Sequence, residues 1–137
     1  MKITLDTNVL ISALIKNGKC RTLLFEIIRR KNDLILSRET LAEFIEIARY
    51  PKIKRYIDKQ DLATLLRDLG SVARIIHTKS KFKIVREDPN DDIVLRTAHD
   101  GKAMYVVSGD RHLLNLRRFK RVRIVTVDEM LRILRGH

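Results

Sequence analysis

A single cysteine, Cys20, stands in 137 residues, and there is no tryptophan. One thiol can close no intrachain disulfide and build no thiolate zinc cluster. Its expected role is that of a small, partly buried apolar side chain. Two prolines and five glycines leave little room for long flexible segments, and no repeat, low-complexity tract or linker is visible. Long hydrophobic runs are missing too. The densest, VLISALI at 9–15, falls well short of the roughly 20 residues that a membrane span needs. The start, MKITLDTN, lacks the layout and cleavage site of a secretory signal. One cytoplasmic domain over 1–137, with one sizeable core, is therefore expected. The four histidines (His77, His99, His112 and His137) include no paired helical set of the kind zinc hydrolases use, so zinc is not expected.

Negative charge is comparatively scarce. The chain carries 29 Lys and Arg against 17 Asp and Glu, a formal charge of +12. The excess is spread along the chain, with concentrations at RRK (29–31), PKIKR (51–55), KSKFK (79–83) and RRFKRVR (117–123). Such a field attracts polyanions in a salt-dependent way. A heat-resistant, charge-rich surface is the plain alternative, but that kind of surface mixes both signs more evenly. No basic amphipathic helix stands out, so nucleic acid is favoured over a membrane.

What is present alternates between two periodicities. KITL (2–5), DLILS (33–37), ARIIHT (73–78), AMYVV (103–107) and RVRIVTV (121–127) read as strands, the last nearer a sheet edge. Between them, VLISALI, TLLFEIIRR (22–30), RETLAEFIEIARY (38–50), PKIKRYI (51–57), a segment opened by Asp61, one opened by Asp91, and RHLLNL (111–116) read as helices. DEMLRILRG closes the chain as a helix with Asp128 as its expected cap. KSKFKIVREDPN (79–90) is read as partly irregular. Alternation of this kind predicts a three-layer α/β/α sandwich around a central parallel β-sheet.

Against that fold, four acids stand out. Asp6 and Asp110 end strand-like runs, Asp92 opens a helix, and Glu43 lies inside one. Ligands of open parallel sheets bind outside the carboxyl ends of the strands, where such acids would converge. Crowded carboxylates call for a counter-ion, and hard oxygen donors suit Mg²⁺ or Mn²⁺. A metal-dependent phosphodiesterase is the leading reading. Each acid also has an ordinary explanation. Asp6 and Asp110 can cap helices, and Asp91 and Asp92 suit a helix's first turn. On a helical wheel Glu43 falls with Glu39 and Glu46, away from the Leu41, Phe44, Ile45 and Ala48 stripe, on what reads as a solvent face. Spacing alone favours the three aspartates and not Glu43.

LDTNVLISAL, TLAEFIEIARYPKI, EDPNDDIVLRTA and VVSGDRHLLNL, in that order and spanning nearly the whole chain, resemble the PIN-domain nucleases. The likeness is strongest to the single-domain prokaryotic group that serves as toxins of toxin–antitoxin pairs. That resemblance implies a parallel sheet flanked by helices. It implies metal-binding roles for Asp6, Glu43, Asp92 and Asp110, overriding the wheel for Glu43 and preferring Asp92 to Asp91. It implies supporting roles for Asn8 and Ser108. Many relatives carry a further acid where this chain has His112, whose role stays open between orienting a water or phosphate and lying idle on a helix surface. Asp88 and Asp91 are assigned no metal.

The implied activity is Mg²⁺- or Mn²⁺-dependent hydrolysis of RNA, with an antitoxin protein and a homodimer as further partners. Aromatic residues are 5% of the chain, so stacking platforms are few, and backbone contacts or RNA shape would guide cutting. The rival is a non-catalytic basic RNA-binding module. An aspartyl phosphotransfer site at Asp6 is disfavoured, because Asn8 stands where one such class needs a second acid and Ile3–Leu5 supply none for the other.

Overall fold

Near-continuous apolar runs such as Ile3–Leu5, Leu34–Leu36 and Tyr105–Val107 bury both faces of their strands, which helices on either side cover. The computed structural model describes residues 1–85 and 89–136. Asp88 of the EDPNDD motif and His137 lie outside them. The chain runs through β1 (Lys2–Leu5), α1 (Thr7–Ile15), α2 (Lys19–Arg29), β2 (Asp33–Ser37), α3 (Arg38–Ala48), α4 (Pro51–Lys54), α5 (Lys59–Gly70) and β3 (Ala73–Ile76). It continues through α6 (Pro89–Asp100), β4 (Tyr105–Val107), α7 (Arg111–Leu116), β5 (Arg118–Phe119), β6 (Val122–Val125) and α8 (Val127–Gly136).

The strands form one sheet in the order β3-β2-β1-β4-β6-β5, parallel throughout except for β5 against β6. Ile3, Leu5, Leu34, Leu36, Tyr105 and Val107 face one core, together with Phe44 of α3, Leu65 and Leu69 of α5, and Met130 and Leu134 of α8. Ile35, Val106 and Ile124 alternate onto the other face and pack against Val94, Leu95 and Ala98 of α6 and Leu113 of α7. The three-layer α/β/α arrangement around a mostly parallel sheet is the expected one.

Several local expectations need correction. RVRIVTV shortens to Val122–Val125 and lies next to the sheet edge, as expected, but the edge itself is the two-residue β5, which folds back against it. Two residues are too few to leave a periodic signature. The helix expected from Asp61 begins earlier, since Asp58 accepts the Gln60 and Asp61 N–H groups. The last helix is capped by Thr126 rather than Asp128. Glu129 N–H donates to the Thr126 hydroxyl while the Glu129 carboxylate accepts the Thr126 N–H, both at 3.1 Å, a capping box. Asp58 and Thr126 are capping residue types that the helix-start reading passes over in favour of Asp61 and Asp128.

Candidate active site

The strand order reverses between β1 and β4: the chain steps from β1 outward to β2 and β3, then returns to β4 and moves outward to β6. The carboxyl side of such a switch point is the expected ligand crevice of an open α/β sheet. Leu5 and Val107 pair across it, and Asp6 N–H donates to Val107 O at 2.9 Å. The next residues on the two strands, Asp6 and Ser108, are thereby forced together.

Asp6 is buried, at 6% exposure, and caps α1, with Oδ1 accepting the Asn8 N–H at 3.4 Å. Its Oδ2 accepts a 2.7 Å hydrogen bond from the Ser108 hydroxyl. Ser108 is fully buried, and its Oγ also accepts the Asp110 N–H at 2.9 Å. One hydroxyl therefore fixes the Asp6 carboxylate and the turn that presents Asp110. Asp110 caps α7, with Oδ1 accepting the His112 N–H at 2.7 Å. Both aspartates act as helix caps and still stand at the crevice, so the capping and site readings are compatible. The His112 side chain is exposed.

Glu43 is half-buried rather than out in solvent, and its Oε2 accepts the Thr7 hydroxyl at 3.3 Å. Thr7 directly follows Asp6, so this bond ties the two acids to neighbouring residues of the chain. Helix packing misled the wheel. Ile45 of the apolar stripe is 47% exposed and lines an open groove with Phe44 and Leu66. Glu43 instead borders a hollow of about 400 Å³ between α3 and α6, with Glu39, Glu46, Asn90 and Ile93. Within it the Glu39 carboxyl lies below its ordinary 4.5. Burial pushes it up, but hydrogen bonds from its own N–H, from Ser37 and from Thr78 outweigh that.

Asp92 is 4% exposed in the first turn of α6, and its Oδ1 accepts the N–H groups of Ile84 and Val85 at 2.7 and 2.8 Å. That carboxylate staples the preceding segment to the helix. Its neighbour Asp91 is equally buried, at 3%. Asn8 is exposed, and its backbone N–H rather than its side chain makes the contact with Asp6 given above. Among the described residues, no three Asp, Glu, His or Cys side chains are grouped closely enough to form a ready-made metal cage.

Sequence reasoning missed a hydroxyl cluster beneath this edge. The Thr97 hydroxyl of α6 donates to Ser37 Oγ at 2.8 Å, and Ser37 forms a capping box with Thr40 on α3. It links the helices carrying Asp92 and Glu43. No local signal announces it, since the partners are 60 residues apart.

A family model described as the PIN domain matches residues 2–112, a span that includes all four acids. An uncharacterized protein of Methanocaldococcus jannaschii, MJ1680, is 32% identical over 122 residues, covering 85% of this chain and 76% of that protein. Among solved structures, VapBC2 from Rickettsia felis bound to a DNA fragment from their promoter superposes with a TM-score of 0.62 at 18% identity. That match covers 92% of this chain and 98% of the other.

Proposed function

Because this chain belongs to the PIN-domain family, whose members are generally nucleases, we propose that it is a metal-dependent endoribonuclease and the toxin half of a toxin–antitoxin pair. The observation that carries the reading is the meeting of Asp6 and Ser108 at the β1/β4 switch point, with Asp110 presented from the same turn. Glu43 is tied to Thr7, the residue after Asp6, and Asp92 stands in the first turn of α6, which supports assigning both to the same crevice.

These residues fit a divalent cation in donor chemistry: carboxylate and hydroxyl oxygens, with no sulfur or imidazole among those assigned. Asp6, Glu43, Asp92 and Asp110 would hold it, with Ser108 orienting Asp6 and Thr7 orienting Glu43. Asn8 is assigned the weaker supporting role, through its backbone. Bound there, Mg²⁺ or Mn²⁺ supplies Lewis-acid polarisation of a phosphoryl oxygen and a more acidic water. The carboxylates do no nucleophilic work; they set position and charge. The basic surface draws RNA in and holds its backbone on either side of the crevice. An acidic or amphipathic antitoxin suits the same charge, and a second copy of the chain is the further expected partner.

A second reading, a basic module that holds RNA without cutting it, is favoured by the lack of a ready-made three-ligand group among the described residues. One experiment separates the two. Purified protein is incubated with a panel of structured RNAs and Mg²⁺ or Mn²⁺, with and without chelator, beside Asp92→Asn. Cleavage that needs metal and fails in the variant is expected. Uncut RNA, bound equally well with chelator, would leave the binding module standing.

A further inference from the structure

The opposite edge of the sheet carries a second ordered set of charges. Among the described residues, four non-glycine positions have positive φ, and all are cations: Lys31 (56°), Lys102 (57°), Arg117 (60°) and Lys120 (54°). Side chains with a Cβ adopt this left-handed region at a cost that glycine does not meet. Lys31 and Lys102 each end a helix in the same way. Lys31 N–H donates to Ile28 O and Asn32 N–H to Ile27 O, both at 3.1 Å. Lys102 N–H donates to His99 O at 3.1 Å, and Ala103 N–H to Ala98 O at 2.8 Å. These paired bonds define a Schellman ending, whose left-handed residue is usually glycine. Lys120 opens the two-residue turn between the paired Phe119 and Val122, another place where glycine or asparagine is preferred.

Strand register puts the three lysines on one level. Ile3 pairs with Leu34 on one side and Tyr105 on the other, and Tyr105 pairs with Arg123. Lys31, Lys102 and Lys120 each stand three residues before Leu34, Tyr105 and Arg123. They therefore precede β2, β4 and β6 along the amino edge, separated by about 10 Å and about 5 Å if strand spacing is carried outward. Lys102 and Lys120 share a hollow of about 740 Å³ with His99 and Arg121. Lys120 Nζ lies 5.7 Å from the centroid of the Phe119 ring. The carboxylate in that lining, Asp100, is already engaged by the N–H groups of Lys79 and Ser80 and by the Ser80 hydroxyl.

We propose that this edge is a track for a nucleic-acid phosphate backbone, remote from the acids and separate from the crevice they line. The inference rests on RNA being what the protein handles, and it adds where a stretch away from the cutting point is held. A level row of exposed cations can engage successive phosphates of such a backbone, and Lys120 is seated over the Phe119 ring, which itself packs on Phe82 at 4.7 Å. Lysine stands at three turns where glycine would be less strained, which argues that the charge itself is used.

The test compares wild type with K31G/K102G/K120G for binding of a labelled single-stranded RNA across a salt series, with chelator present so that nothing is cut. A control triple, K52Q/R55Q/K59Q, removes the same charge from exposed positions around α4 and α5. The edge triple is expected to bind about tenfold more weakly at low salt and to lose about two from its salt slope, at roughly 0.7 per lost phosphate contact. Its melting temperature is expected to equal or exceed that of wild type, because glycine relieves the left-handed backbone. The control triple should lose clearly less. An edge triple that binds like wild type, a control that loses as much, or wild type that does not bind RNA overturns the proposal. Since binding is read without cleavage, RNA that is held on this edge but never cut refutes only the nuclease reading.

Discussion

Ser108 on β4's end donates its hydroxyl proton to Asp6 at β1's end, a 2.7 Å bond between residues 102 apart in sequence. Both side chains are buried, and the same Ser108 oxygen accepts the Asp110 N–H. A fully buried hydroxyl that satisfies one carboxylate and one N–H is costly to remove.

Ser108→Ala is therefore expected to lower stability by about 1–3 kcal/mol, since the Asp110 N–H and the Asp6 oxygen each lose a partner. Metal affinity or cleavage should fall by roughly 10–100-fold, the usual effect of losing a group that orients a metal ligand. Urea unfolding reads the first effect and metal-dependent cleavage the second. Unchanged cleavage in a folded variant would remove Ser108 from the site.

Mn²⁺ is expected to raise the melting temperature of wild type. Binding to the native state alone stabilises by about 2.7 kcal/mol at a hundredfold excess over Kd. Asp6→Asn should abolish that rise. Without metal it should melt at or slightly above the wild-type temperature, because a crowded negative charge is gone. A differential scan with and without Mn²⁺ decides, and an undiminished shift in the variant contradicts the role given to Asp6.

Gly101→Ala should destabilise the fold by about 1–3 kcal/mol, as overpacking does. A Cβ at Gly101 would stand 2.3 Å from Ile35 Cγ2 and 3.0 Å from the Thr97 carbonyl oxygen, at the close approach of α6's end to β2. The denaturation midpoint measures it. A neutral substitution would mean that Ile35 gives way freely.

Asp100 predicts a pH dependence. Burial raises its carboxyl, but hydrogen bonds from the Ser80 hydroxyl and N–H and from the Lys79 N–H outweigh this and hold it below the ordinary 3.8. A folded value below the unfolded one contributes stability that is complete above 3.8 and is lost as pH falls through the folded value. Asp100→Asn should therefore be less stable than wild type at neutral pH, with the gap closing in acid below 3.8. Urea midpoints at both pH values test this, and a gap that persists in acid would put the cause elsewhere.

The alternation of short apolar runs with 3.6-period segments was enough to specify layers and parallel pairing, because each periodicity demands a particular burial pattern. Positions at run ends likewise announced Asp6 and Asp110. Other features were invisible for definite reasons. β5 has two residues, too few for a pattern. Glu43 looked solvent-facing because the wheel takes the apolar stripe as core, whereas that stripe borders an open groove and Glu43 turns toward Thr7.

The amino-acid sequence by itself determined the layer architecture, the positive field and the acids at the segment ends, since these follow from local periodicity and composition. Tertiary structure alone decided that Ser108 meets Asp6, that Thr97 meets Ser37, and that Lys31, Lys102 and Lys120 stand level. Those relations join residues far apart in the chain. Only the pairing register of neighbouring strands and the packing of α3 against α6 bring them within reach.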